Sequence, residues 1–347
     1  MKRKLKRAGL ILVGILLIMI VWNLQLIIYG LGQLKGQLTI VWNARPITEV
    51  MQDKSFPDSL KTKLALIQEI RSFAIDSLGI NESDNYTTLF DQKGKTLMWV
   101  VTACDPYELK PHQWEYSFLG SMPYKGFFDS LKAVKEEKIW KGKGLDTDIG
   151  TAAGWSTLGW FKDPILSSML YRQPGSLSNL IIHELTHGTL FIKDNIEYNE
   201  NLADFVGDEG AKLFLIHKYG KESPEYTKYT SRKIYREKHY SHILRGSQQL
   251  DSLYKTFTNK LTTQQKDTLK FRLIRQIIQS EDTITVNGKP NPLGWEGPLP
   301  NNTFFMEYIR YRAKQNQFEE EFRTKFNSDF KRYFAYLKKK YPKESML

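Results

Sequence analysis

Apolar residues along this chain recur in several rhythms, and the rhythms divide it into elements. Residues Ala8 to Tyr29 are apolar apart from Asn23 and Gln25. About 22 residues rising ~1.5 Å each cover the ~30 Å hydrocarbon core of a bilayer, so this run predicts a membrane-spanning helix. From Leu31 to Val50 the positions Leu34, Leu38 and Val41 keep helical spacing, which predicts a helical stalk broken at Pro46. Between Pro57 and Gly79, the residues Leu60, Leu64, Ile67, Ile70, Phe73 and Ala74 follow a 3.6-residue period and predict an amphipathic helix over Asp58 to Leu78.

The rhythm then shortens. Thr96 to Thr102 and Tyr116 to Leu119 are runs of β-formers and predict strands of one small sheet, while Asp129 to Lys141 is charged and helical. Thr147 to Trp155, rich in Gly, Ala and Thr, predicts a further strand. Beyond it, Glu222 to Gln279 reads as helix with breaks near Gly246 and at Leu261 to Thr263, where a threonine caps a new helix. Gly288 to Asn302 reads as a loop, and Met306 to Lys340 as helix. The fold class expected is α+β, mostly helical, with a small mixed sheet and an N-terminal transmembrane helix.

Charge refines this picture only at the N-terminus. The chain has 347 residues with 50 Lys and Arg against 38 Asp and Glu, and Lys2, Arg3, Lys4, Lys6 and Arg7 precede the apolar run. Such a basic cluster stays cytoplasmic by the positive-inside rule. The bulky stretch Trp22 to Tyr29 lacks the small residues of a cleavage site, so the run reads as an uncleaved anchor. The expectation is a single-pass membrane protein with a cytoplasmic N-terminus and the remaining chain periplasmic or otherwise outside the cytoplasm. The remaining positive excess is modest and does not indicate nucleic acid as a partner. Cys104 is the sole cysteine, so no intramolecular disulfide exists. Residues 1–30 are then tip and anchor, 31–54 a stalk or linker, and 55–347 one domain. Its sheet-containing part covers about 55–165, two ligand-bearing helices about 174–220, and a helical remainder about 222–341.

Candidate chemistry concentrates in His183-Glu184-Leu185-Thr186-His187. Residues i and i+4 share a helical face, so both imidazoles reach one tetrahedral zinc ion while Glu184 flanks the position left for water. Leu180, Ile181, Ile182, Leu185, Leu190 and Phe191 make this helix apolar nearly all round, and buried polar groups there need a reason. The third ligand is expected to be Glu200, with Glu197 next and Asp194 and Asp208 as competitors. Asp204, a turn after Glu200, is expected to orient an imidazole, His183 first. Gly154 to Phe161 offers two glycines and two tryptophans, and Trp155, Ser156, Thr157, Leu158 and Gly159 are read as a substrate-binding edge. An oxyanion would need a further donor, for which Tyr198, Tyr124 and Tyr308 are candidates. His239 and His242, in a run of Lys, Arg and Tyr, read as surface residues of a solvated helix, and His217, seventeen residues after Glu200, reads as too far along the helix to reach the metal. One zinc ion is the cofactor expected, although imidazole and carboxylate also suit cobalt, nickel or manganese.

The chain resembles the bacterial predicted-aminopeptidase family, zinc metallopeptidases of the gluzincin type attached to the cell envelope. The resemblance runs through Gly32-Gln33, Gly36-Gln37-Leu38, Arg45-Pro46-Ile47, Tyr124 to Phe128, Ser156 to Pro164, the His183 to His187 motif, Asn199-Glu200 through Gly207, and Pro298 to Asn302. It implies a zincin-like fold, a peptide or protein substrate, His183, His187 and Glu200 as metal ligands, and Glu184 as catalytic carboxylate. Asp204 follows from the wider gluzincin pattern. Many relatives carry a lipid-attachment cysteine after the hydrophobic segment and a cysteine pair where this chain has Glu115 to Met122, and this chain has neither. The function so implied is a membrane-anchored zinc aminopeptidase with Glu184 as general base. The alternatives are an envelope endopeptidase with the same site and a non-enzymatic envelope protein in which zinc staples two helices. For capture of a substrate amino terminus, Asp163, Glu197 and Asp208 stay open.

Overall fold

The computed structural model describes residues 21–116, 120–151, 162–281, 285–286, 289–290, 297–312 and 315–341, with Lys6, Leu10 and Gly14. Helix α1 (Leu24–Asn43) leads through strand β1 (Arg45–Pro46) and α2 (Ile47–Gln52) into α3 (Asp58–Leu78). Five short strands follow: β2 (Thr88–Phe90), β3 (Trp99–Cys104), β4 (Trp114–Tyr116), β5 (Gly120–Met122) and β6 (Lys125–Phe127). After α4 (Ser130–Gly142), β7 (Asp146–Thr151) and β8 (Ile165–Leu166), a 3₁₀ turn opens the helical half: α5 (Pro174–His187), α6 (Ile196–Tyr219), α7 (Pro224–Lys255) and α8 (Thr263–Ser280). The hairpin β9 (Thr285–Val286) and β10 (Lys289–Pro290) precedes α9 (Asn302–Arg312), α10 (Gln315–Phe326) and α11 (Phe330–Lys340).

The chain is mostly helical and α+β. Its strands do not form one sheet. Among the described residues β3 lies between β6 and β7 in an antiparallel trio, whereas β4 and β5 pair with each other. A mixed sheet joins β1 antiparallel and β8 parallel to β2. Short runs separated by turns leave no strand long enough to bind all the others into one layer, which local β-propensity alone does not reveal.

The transmembrane expectation for residues 8–29 is corrected. Among the described residues no helix is long and apolar enough to cross a membrane, so a single-pass membrane protein with a cytoplasmic N-terminus and an exported domain is not supported. Residues 8, 9, 11–13 and 15–20 of that run lie outside the described residues. The end of that run and the residues just after it are tied to the folded body: the Tyr29 hydroxyl donates to the Gly126 carbonyl at 3.0 Å, and the Gln33 amide donates to the same oxygen at 2.8 Å. Gln37 and Ile40 of the expected stalk are buried. Gln25, Gln33, Lys35 and Gln37 also make α1 too polar for hydrocarbon.

The main core is built where the 3.6-residue period placed it. Leu64, Ile67, Ile70, Ala74 and Leu78 of α3 pack on Leu177, Ile181 and Ile182 of α5 and on Val206 and Phe214 of α6. Phe205 of α6 enters an aromatic cluster with Phe318, Phe322 and Phe330, which seats α10 and α11 against the same helix. A second core joins α7, α8 and α9 through Ile243, Leu250, Tyr254, Ile274, Ile277 and Phe305. The break expected near Gly246 does not occur, because α7 runs through it. A β-carbon there would meet Ile277 Cγ2 at 2.6 Å, so this glycine serves close approach of α7 and α8. The start of α8 follows the sequence signal: Thr262 and Gln265 form a reciprocal capping box.

Candidate metal centre

Two helices carry the site, and the turn between them is itself fixed by side-chain bonds. Asn199 Oδ1 accepts from the Ile192 N–H at 2.8 Å, and Asn199 Nδ2 donates to the Ile192 carbonyl at 2.7 Å. Asn195 caps α6, accepting from the Tyr198 N–H. These bonds set the first turn of α6, and with it Glu200, against the last turn of α5. Small residues then let the two helices close. A β-carbon on Gly207 would stand 2.9 Å from the Asn179 carbonyl oxygen and 3.2 Å from His183 Cβ.

Gly207→Ala would gain about 1 kcal/mol in helix propensity, yet the facing carbonyl belongs to a helix backbone and cannot rotate away. Separation of α5 from α6 is therefore expected to dominate, with net destabilisation of about 1–3 kcal/mol and weaker metal binding. Thermal denaturation and zinc titration check this, and a variant with parental stability and parental zinc affinity would refute it.

His183, His187 and Glu200 bring one ligand atom each into a compact group. His183 Nε2 and His187 Nε2 are 3.2 Å apart. Glu200 Oε2 lies 3.5 Å from the first and 3.6 Å from the second. Ligands about 2.0–2.2 Å from a tetrahedral ion stand roughly 3.3–3.6 Å from one another, so this triangle fits zinc without rearrangement. Behind it, His183 Nδ1 and Asp204 Oδ1 are 3.1 Å apart, the contact that fixes an imidazole tautomer. His187 has no such support: its Nδ1 is buried without a hydrogen-bond partner, and its ring is packed edge-on against Phe191.

Electrostatics follow from burial and crowding. Burial opposes charge on His183, but hydrogen bonding to Asp204 and Glu200 outweighs it and holds the imidazole well above the usual histidine range. Burial likewise opposes charge on Glu200, and the neighbouring His187 and His183 reverse the balance, holding its carboxyl well below the usual range. Glu184 goes the other way. Burial pushes its carboxyl up, and His183 and His187 only partly offset that push. The site thus separates two carboxylates, one held ionised among the imidazoles and one nearer to exchanging a proton.

Other expected residues scatter. Asp208 is engaged by Asn179 Nδ2 at 2.9 Å and by the Tyr229 hydroxyl at 2.8 Å, with Arg236 at 3.6 Å. Asp194 accepts from the Ser121 N–H. Asp163 is buried, its N–H donating to Asn85 Oδ1 at 3.0 Å. Glu197 stands in the first turn of α6. Tyr198 packs between Phe318 and Tyr341, and Tyr308 bonds His239 Nε2 at 2.8 Å. His239 is only partly exposed, since its Nδ1 meets the buried Glu281 at 2.6 Å. Trp155 to Gly159 lie outside the described residues.

Of the three tyrosines, Tyr124 is the one beside the metal group: burial raises its phenol, and the charges of Glu200 and Glu184 add to the rise. Two residues escaped the sequence reading. Tyr311, raised first by Glu200, and Arg310, lying 5.5 Å from the centroid of the Tyr124 ring, come from α9. No motif or period marks them. They reach the site because Asn201, the neighbour of Glu200, donates to the Arg310 carbonyl across the fold.

A mostly helical α+β chain with a His-His-Glu group on two packed helices is the class that fold and geometry define. The chain belongs to the family described as "Putative aminopeptidase", which matches residues 29–344. Neither a curated protein nor a solved structure matches it.

Proposed function

We propose that this chain is a zinc-dependent aminopeptidase that hydrolyses peptide bonds with Glu184 as general base. The observation that carries the reading is the triangle of His183 Nε2, His187 Nε2 and Glu200 Oε2, with edges of 3.2, 3.5 and 3.6 Å, whose two histidines share helix α5 with Glu184. Those three residues would hold the ion. A bound zinc supplies a Lewis acid that polarises the scissile carbonyl and acidifies water.

The chain's own groups do the rest. Glu184, whose carboxyl burial pushes upward, accepts the proton of the attacking water and returns it to the leaving amine. Asp204 keeps the His183 imidazole in one tautomer through Nδ1. Tyr124 and Tyr311, phenols kept neutral by burial and by Glu200, supply O–H donors beside the developing oxyanion. The substrate is a peptide, as the family description implies, and the amino-terminal specificity rests on that description.

The test uses the full chain, stripped of metal by a chelator and reloaded with zinc, on matched free and N-acetylated peptides. Loss of the N-terminal residue from free peptides is expected, at least about 100-fold faster than any cleavage of blocked ones. Equal cleavage of both would replace aminopeptidase with endopeptidase action. Inertness of the reloaded, folded chain toward a broad peptide set would sink the hydrolytic reading.

A further inference from the structure

Among the described residues two Lys or Arg side chains are buried, Lys270 and Arg310, at 1% and 8% exposure. Their surroundings differ in kind. Lys270 is paired with Asp146. The less buried Lys125 and Lys233 also have carboxylates, Glu136 at 2.9 Å and Glu209 at 3.0 Å. Among the described residues no ion pair is found for the Arg310 guanidinium, although its charge partly offsets the rise that burial causes in the carboxyl of Glu307, one turn earlier on α9. The Tyr124 ring centroid lies 5.5 Å from it, and Tyr311 also feels its charge.

An arginine cannot shed its proton, and no Arg310 nitrogen is among the buried polar atoms that lack a partner, so the guanidinium keeps a little water in place of an anion and stays free to take one. Its placement says where the missing anion comes from. The backbone of Arg310 is held by Asn201, which donates both to the Arg310 carbonyl and, at 2.9 Å, to Glu197. Asn201 itself follows Glu200, a corner of the metal triangle. The guanidinium lies over the ring of Tyr124, a residue that also feels the charges of Glu200 and Glu184, which puts it in the neighbourhood of the reaction site. Its planar fork matches a carboxylate in two parallel hydrogen bonds.

We propose that Arg310 is a substrate-binding residue that takes a carboxylate of the peptide, so that the site selects peptides by an acidic group near the scissile bond. This rests on the peptidase reading above. Two carriers share that chemistry: the α-carboxylate of a short peptide, and an Asp or Glu side chain.

The experiment measures binding, so it does not require turnover. The full-length, zinc-loaded Glu184→Gln chain is titrated by calorimetry with trialanine, with trialanine amide and with Ala-Glu-Ala amide. Salt is held near 0.3 M to screen the general positive field of the chain. At least one carboxylate-bearing peptide should bind roughly 10- to 100-fold tighter than trialanine amide, the range of a charge-assisted hydrogen bond. Adding Arg310→Met should bring all three to the same affinity. Preference for trialanine identifies the chain end, and preference for Ala-Glu-Ala amide the side chain. Trialanine amide binding as tightly as both others, a preference that survives Arg310→Met, or no measurable binding at millimolar peptide overturns the proposal. The comparison of peptides on the Arg310-bearing chain needs no variant at that position, so misfolding of Arg310→Met, checked by circular dichroism, does not shield it. An Arg310-dependent carboxylate preference in a chain that never hydrolyses a peptide would bring down the peptidase reading and keep Arg310 only as a peptide-carboxylate binding residue.

Discussion

Glu184→Gln is expected to lower kcat for peptide hydrolysis by roughly 10²–10⁴-fold, the span that a positioned general base contributes, while zinc stays at one ion per chain. The amide keeps the size and one acceptor oxygen of the carboxylate, so the volume filled at this position of α5 is preserved. What disappears is the capacity to take a proton. The three ligand atoms are on His183, His187 and Glu200 and are untouched. Stability should not fall either. Burial and the charges of Glu200 and Asp204 all disfavour ionised Glu184, and only the two imidazoles favour it, so a neutral side chain relieves crowding. Turnover measured beside metal content by atomic emission separates the two effects. A variant that keeps more than about a tenth of parental kcat at equal zinc would assign the proton transfer to another group.

Local features of this chain were legible in its sequence wherever one element decided them. The period between Pro57 and Gly79 marked α3 at both ends, Thr262 marked the start of α8, and the spacing of His183, His187, Glu200 and Asp204 foretold which side chains come together. What failed was whatever depends on a partner far along the chain. An apolar run of membrane length cannot show that Tyr29 and Gln33 at its end bond a carbonyl 97 and 93 residues away. Arg310 is 109 residues from Asn201 and lies in a segment that reads only as helix, so its place in the neighbourhood of the site was invisible. Gly246 has the same lesson on a smaller scale. A glycine in a helical pattern signals either a break or a close approach, and only Ile277 facing it decides which.

His187→Ala should remove zinc binding almost entirely, with affinity lower by about 10³-fold or more. Structural zinc in zinc-finger peptides is bound with roughly 10–16 kcal/mol, and dividing a figure of that size among a few ligands leaves several kcal/mol to each, which is three or more decades in affinity. The structure gives no substitute. Among the described residues the candidate ligand group consists of His183, His187 and Glu200, and the carboxylates Asp163, Asp194 and Asp208 each have contacts in other parts of the fold. Loss of the ion should in turn remove its contribution to stability. At a free zinc concentration 100 times Kd, ligation stabilises the parent chain by about 2.7 kcal/mol, so the parental unfolding temperature should rise with added zinc and that of His187→Ala should not. In the absence of zinc the order is expected to reverse or vanish. His187 is buried with its Nδ1 unpartnered and its Nε2 crowded by a second imidazole, so its polar atoms weaken the metal-free fold unless an ion compensates them. Calorimetric scans of both chains with chelator and with excess zinc test this. A zinc-dependent rise in His187→Ala as large as that of the parent would place the ion elsewhere.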